Sequence, residues 1–211
     1  MSLSNTDSII FDLDGTLWDA SAACVMAWNE TFDQTGNQGQ TLTEDFVRSV
    51  SGLRVEKIFS DYLSFIPKNK YEEVLETYKQ KEIIFIEKYG GKLFPETKRV
   101  LTEMSAKYKL FVVSNCLKGY IESFISFHKL ENIFTDFESA GNTGLPKSDN
   151  IKLIIKRNSL KNPVYVGDTE WDQEAAKAAN IPFIHATYGF RTVEGAEFEI
   201  DSLSELEEIL K

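Results

Sequence analysis

Ser8-Ile9-Ile10-Phe11-Asp12-Leu13-Asp14-Gly15-Thr16-Leu17 decides how this chain is read. It is a short apolar run that ends in two carboxylates and a glycine. Residues 8–13 have the length and apolar content of a buried strand. Two acids two residues apart at the exit of such a strand repel each other. A tight Asp-Gly hairpin would account for Asp14 and Gly15 alone. The segment that follows is helical in pattern, so that hairpin has no second strand. In open α/β sheets, ligands bind at the carboxyl ends of strands. The acidic exit is therefore the place to look for function.

Four similar runs follow, at residues 110–114 (LFVVS), 135–139, 164–167 (VYVG) and 183–186 (FIHA). Helical patterns lie between them. Residues 95–108 open with Pro-Glu, which suits a first helical turn. Residues 117–128 space Tyr120, Phe124 and Phe127 at helical intervals, and residues 149–158 do the same with Ile151, Ile154 and Ile155. Residues 170–179 are short and Ala-rich. The alternation predicts an α/β fold, a Rossmann-like parallel sheet with helices on both faces.

About 95 residues separate the first strand from the second, where a crossover needs only a dozen or more. Most of that interval reads as helix. Residues 18–35 are amphipathic and end in the loop GNQGQ. Thr41 and Glu44 have capping-box spacing ahead of Phe46 and Val47. Residues 55–65 and 70–89 follow, with Gly90-Gly91 as a stop. Twelve of the 26 aromatic residues fall between Trp18 and Phe94, so the insertion is expected to hold a small core of its own. The predicted division is residues 1–17 and 95–211 as one domain and residues 18–94 as a helical domain inserted after the first strand. Residues 17–20 and 90–95 are the linkers.

The chain has 211 residues, 42% apolar and 27% charged, the profile of a globular protein. Its 23 basic and 33 acidic residues give a net charge of -10. Seven acids and one base lie between Glu194 and Lys211, and that tail reads as the solvated face of a C-terminal helix. The acidity therefore says little about a substrate, although a pI near 4.8 argues against nucleic acid as a partner. No apolar stretch is long enough to span a membrane, and the N-terminus lacks a signal peptide's basic region. Two cysteines, Cys24 and Cys116, make no disulfide framework, so a cytoplasmic location is expected.

The remaining strand ends carry matching chemistry. The second closes on Val113-Ser114-Asn115, a hydroxyl and an amide that can contact an oxyanion. The fourth closes on Gly167-Asp168-Thr169-Glu170-Trp171-Asp172, adding two acids four apart, Asp168 and Asp172. Between them Lys147 sits in a loop just before a helix. The fold would bring four carboxylates and one ammonium to one sheet edge. Such a cluster is costly unless a cation compensates it. Oxygen donors without His or Cys favour Mg2+, which commonly holds a phosphate as well.

In this order and spacing, the fragments resemble the haloacid dehalogenase superfamily of aspartyl-phosphate phosphotransferases. Residues 12–17 resemble its first motif (DxDGT), Ser114 the second, Lys147 the third and residues 167–172 the fourth (GDxxxD). The helical insertion resembles the family's C1 cap, in the phosphoglycolate phosphatase and β-phosphoglucomutase-like branch. The resemblance implies that Asp12 is the nucleophile and Asp14 the general acid, then base. It implies Mg2+ held by Asp12, Asp168 and the Asp14 backbone carbonyl, with Asp172 orienting a metal-bound water or Lys147. Ser114 and the Asn115 backbone N–H would bind the phosphoryl group, and Lys147 would neutralise its charge.

Asp14 argues for phosphoryl transfer, since a halide leaving group needs no proton. Gly167-Asp168 stands where the mutases usually have Glu-Asp, which favours a phosphatase acting on a small phosphorylated metabolite. A phosphomutase and a metabolite-binding protein without turnover are the alternatives. Residues 50–54 match a glycine-containing cap loop that faces the site in related proteins, so Arg54 is a candidate reader of a carboxylate or distal phosphate. Trp18 belongs either at the cleft entrance or in the core. Cys116 reads as space-filling, and His128 and His185 as structural.

Overall fold

The computed structural model describes residue 3 and residues 5–210. The first strand, β1 (Ser8–Phe11), is buried along its whole length. The chain then forms β2 (Trp18–Asp19) and four helices, α1 (Ser21–Gln34), α2 (Glu44–Val50), α3 (Val55–Tyr62) and α4 (Tyr71–Tyr89). It returns through β3 (Lys92–Leu93) and α5 (Thr97–Ser105) to β4 (Lys109–Ser114). From there it alternates: α6 (Tyr120–His128), β5 (Asp136–Ser139), α7 (Ala140–Thr143), α8 (Lys147–Asn158), β6 (Pro163–Gly167), α9 (Glu170–Ala179) and β7 (Phe183–Ala186). It closes with β8 (Phe198–Ile200) and α10 (Leu206–Ile209).

Six strands form one parallel sheet in the order β5-β4-β1-β6-β7-β8. Because β1 lies inside the sheet, both of its faces must be apolar. Ile9 and Phe11 join Val112 and Val166 on one face, against α5 and α6. Ile10 joins Phe111, Val113 and Tyr165 on the other, against α8 and α9. This is the α/β architecture that the alternating pattern predicts, with helices on both faces.

Several local expectations change. The acidic tail is not a helix face: it supplies the sixth strand, β8, and then a four-residue helix. Glu199 of β8 faces His185 at 3.5 Å, and Glu207 pairs with Arg99 at 3.0 Å. The cap of α2 is Thr43, whose hydroxyl accepts from the Phe46 N–H at 3.1 Å, and not Thr41. Lys147 is the first residue of α8, behind Pro146, and not part of a loop. The two linkers pair with each other as an antiparallel ribbon, Trp18 opposite Leu93 and Asp19 opposite Lys92.

The helical insertion does not hold a separate core. Trp28 stacks on Tyr78 at 3.6 Å between ring centres and contacts Phe32 and Phe59. These residues belong to the same continuous apolar cluster as one face of the sheet. Trp18 lies fully inside that cluster, edge-on to Tyr120 and Phe124 of α6. His128 completes the packing around it at 5.6 Å.

Phe124 ties the insertion to the sheet, so truncating it tests this shared core. Phe124→Ala should cost about 3–5 kcal/mol of unfolding free energy. Urea denaturation followed by far-UV circular dichroism measures it. A loss under about 1 kcal/mol would mean that the side chain is not packed as described.

Candidate active site

The sheet order gathers the sequence-selected residues. β1 sits between β4 and β6, so Asp12, Ser114 and Asp168 leave neighbouring strands at the same edge. The chain proceeds outward from β1 to β4 and β5, then returns to β6 on the other side. That reversal makes the edge a topological switch point, where such sheets bind ligands. Lys147 enters from the start of α8, and Asp172 from the first turn of α9.

Asp12, Asp168 and Asp172 are each at most 1% exposed, and carboxylate oxygens from the three lie within 4.8 Å of one another. Lys147 Nζ stands 2.9 Å from Asp12 Oδ1 and 2.6 Å from Asp172 Oδ1. Burial pulls the Lys147 ammonium down, but Asp12 and Asp172 overcome it and hold its pKa above the ordinary value. Burial, then the repulsion of Asp172, pushes the Asp12 carboxyl up to about 6 against the pull of Lys147. Asp168 is raised well above the usual carboxylate range by burial and by Asp172 and Asp12. One ammonium does not balance three buried carboxylates.

Each acid has a fitted seat. Asp172 closes a capping box on α9: its Oδ2 accepts from the Thr169 N–H at 3.0 Å and the Thr169 hydroxyl at 2.7 Å. With Oδ1 given to Lys147, both of its oxygens are engaged. Asp168 accepts from the Thr16 hydroxyl at 3.2 Å and the Phe190 N–H at 2.9 Å. Its carboxylate lies between two glycines. A Cβ on Gly15, whose φ is +85°, would fall 2.2 Å from Asp168 Oδ2. A Cβ on Gly189 would fall 2.3 Å from Asp168 Cβ. No other residue type fits either place.

Asp14 turns away from this triad. Its Oδ1 accepts from the Tyr120 hydroxyl at 2.9 Å, and burial pushes its carboxyl up to about 8 despite that bond. It faces a cavity of about 80 Å³ between the sheet edge and the helical insertion. Asp12, Ser114 and Asn115 line the same cavity. So does Glu82 of α4, which accepts from the Tyr78 hydroxyl at 2.6 Å. The Cys24 thiol lies 3.7 Å from both Glu82 and Tyr120, which links the two acids through one buried polar chain.

Arg54 is directed away from the expected ligand contact, and the side chain of Asn115, whose expected contact is through the backbone N–H, is bound to the insertion. The Asn115 side-chain amide donates to the Gly52 carbonyl at 2.8 Å, across to the insertion. Arg54 does not line the cavity. Its guanidinium donates to the Gly144 carbonyl at 3.2 Å and lies 3.7 Å from Glu56. The sequence reading also passed over Tyr120, Glu82, Cys24, Thr169 and the Gly189-Phe190 loop. Thr169 alone carried a signal, as a Thr three residues before an acid.

The donor set suits a hard divalent cation. Among the described residues, the His, Cys, Asp and Glu ligand atoms that converge here are carboxylate oxygens alone, those of Asp12, Asp168 and Asp172. Asp172 has both oxygens engaged, by Lys147 and Thr169. Among the described residues no helix is long and apolar enough to cross a membrane.

The model for haloacid dehalogenase-like hydrolases matches residues 9–186. The phosphoglycolate phosphatase of Colwellia psychrerythraea is 27% identical over 98% of this chain and 97% of its own length. That of Aquifex aeolicus is 26% identical over 86% and 85%. A haloacid dehalogenase-like family hydrolase from Streptococcus pneumoniae superposes with a TM-score of 0.85 at 21% identity, covering 98% of this chain and 99% of that one. CbbY from Rhodobacter sphaeroides, in complex with phosphate, superposes at 0.76 with 20% identity, covering 95% and 96%. The family match spans the acidic strand ends and the sheet that aligns them, and the chain belongs to the haloacid dehalogenase-like hydrolases.

Proposed function

We propose that the chain is an Mg2+-dependent phosphatase that hydrolyses a small organic phosphate monoester through an aspartyl phosphate on Asp12. The observation that carries this reading is the position of Asp12. It is buried between Lys147 and the acids of the fourth motif, and it opens on a cavity that also holds Asp14. The relatives named phosphoglycolate phosphatase support a phosphatase.

In the first step, an Asp12 carboxylate oxygen attacks phosphorus and the bond to the ester oxygen breaks. Asp14 gives its proton to that leaving oxygen. In the second step, Asp14 takes a proton from water, whose oxygen attacks phosphorus and releases inorganic phosphate from Asp12. Tyr120 holds Asp14 in place for both transfers. Lys147 keeps Asp12 ionised and faces the charge that develops on phosphoryl oxygens, and Ser114 offers a hydroxyl donor beside them. The carboxylates of Asp12 and Asp168 and the Asp14 backbone carbonyl would hold Mg2+. When bound, the cation supplies the positive charge that the cluster lacks.

Residues 18–94 act in this reading as a cap over the core formed by residues 1–17 and 95–211. The β2–β3 ribbon carries both crossings between them. Bonds from Asn115 to Gly52, Arg54 to Gly144 and Arg191 to Ser49 join cap to core, as a closed state requires. Closure excludes water during the first transfer, and opening admits it for the second.

Phosphate release from p-nitrophenyl phosphate should require Mg2+ and stop on adding EDTA. Asp12→Asn should lower it by about 10³-fold or more while leaving the thermal midpoint within a few degrees. Metal-independent release, or an active Asp12→Asn protein, would refute the mechanism.

A second test separates the proton donor from the rest of the site. An alkoxide needs a proton to leave, and p-nitrophenolate does not. Asp14→Asn should lower kcat/KM for an alkyl phosphate by about 10²–10⁴-fold, and that for p-nitrophenyl phosphate far less. Tyr120→Phe should show the same leaving-group pattern with a smaller loss. Equal losses on both substrates would show that neither residue serves proton transfer.

A further inference from the structure

The cavity over Asp12 has a chemical character that the phosphoryl reaction alone does not explain. Among the described residues, no Lys, Arg or His lines it. The nearby cations are already committed. Arg48 is paired with Asp19, Glu44 and Asp45, and Arg191 with Glu170. Arg54 bonds the Gly144 carbonyl, and Lys147 lies between Asp12 and Asp172.

Two of the side chains that line the space, Glu82 and Asn115, offer acceptors. Glu82 projects from α4 into the cavity. Its Oε1 receives the Tyr78 phenol and the Cys24 thiol, and neither of these reaches Oε2. Asn115 lines the same space. Its amide nitrogen is fixed on Gly52, which leaves Oδ1 buried without any partner. A buried acceptor left unpaired costs free energy that a ligand's donor would recover. Burial also raises the Glu82 carboxyl to about 7, against the hydrogen bonds of Tyr78 and Cys24. Once ionised, Glu82 would repel a carboxylate brought beside it, and among the described residues no Lys, Arg or His lines the cavity at that end.

We propose that Glu82 and Asn115 set substrate choice by accepting O–H or N–H donors from an uncharged or cationic leaving group, and that they reject a leaving group bearing a carboxylate. The inference rests on the phosphatase reading above and adds the class of ester to it. It separates this chain from what the names of its relatives suggest, since phosphoglycolate presents a carboxylate where the cavity presents Glu82. Hydroxylated and amino-alcohol phosphates share the required chemistry.

Glycerol phosphate, phosphoethanolamine and 2-phosphoglycolate, each with Mg2+, are the discriminating set. The wild-type protein should turn over at least one of the first two with kcat/KM about tenfold or more above that for 2-phosphoglycolate. Glu82→Lys should reverse that order. Glu82→Gln retains an acceptor but not the charge, so it should weaken phosphoethanolamine by about tenfold and glycerol phosphate less. The more affected ester identifies whether ammonium or hydroxyl is the native donor. Thermal unfolding checks that each variant folds.

Calorimetric titration of the Asp12→Asn protein with the same three compounds reads the selectivity without turnover. The same order of affinity supports the inference even if no phosphate is ever released, an outcome that would refute only the phosphatase reading. Preference of the wild-type protein for 2-phosphoglycolate, or an order unchanged in Glu82→Lys, would overturn the inference and leave the phosphatase reading standing.

Discussion

A single buried ammonium shared by two carboxylates organises this molecule. Lys147 lies within 3 Å of both Asp12 and Asp172, where water is excluded. Removing either partner would strand a buried charge, which is far more costly than the pair itself is stabilising. The sharing fixes the start of α8 against the start of α9 and against the end of β1. It also divides the acids by role. Asp172 is saturated by Lys147 and Thr169, so it holds the lysine in place. Asp12 faces Lys147 through Oδ1 and also lines the cavity, the position that the proposed nucleophile needs.

The backbone is shaped to permit this crowding. Asp168 fits only because Gly15 and Gly189 carry no side chain. Gly167 makes room in the same way for Asp172, whose Cγ would lie 2.6 Å from an added Cβ. The strand order contributes the rest. With β4 and β6 flanking β1, three strand ends meet without any long loop. The helical insertion leaves the same edge of the sheet and folds back over it, so the residue that follows Asp12 by two positions faces a roof of α1 and α4 side chains.

Much of the core site is legible in sequence because its residues follow strands directly. An apolar run that stops at Asp12 and Asp14 announces itself, and Gly167-Asp168 with Asp172 does so again. The structure brings these together with Lys147 and Ser114. The roof is less legible, for a physical reason. Tyr120 and Asp14 are 106 positions apart, and Tyr120 falls on the apolar stripe of its helix, where an aromatic residue reads as packing. Glu82 sits among Lys and Glu residues on α4, where an acid reads as solvated surface. Only the folding of α4 over the sheet turns it inward. Strand β8 escaped detection because three residues, one of them Glu199, are too few to display alternation. Arg54 was selected for its charge and loop position, yet the loop turns Leu53 and Val55 to the cavity and sends the guanidinium outward.

The account stands or falls on whether Asp12 becomes the phosphoryl carrier. Rapid acid quench during turnover of a phosphate ester with Mg2+, followed by peptide mapping in a mass spectrometer, addresses this directly. The phosphoryl group should appear on the peptide containing Asp12, labile to hydroxylamine as an acyl phosphate is. A phosphoryl group mapped to any other residue, or turnover with no phosphorylated peptide under conditions that slow its hydrolysis, would contradict the account.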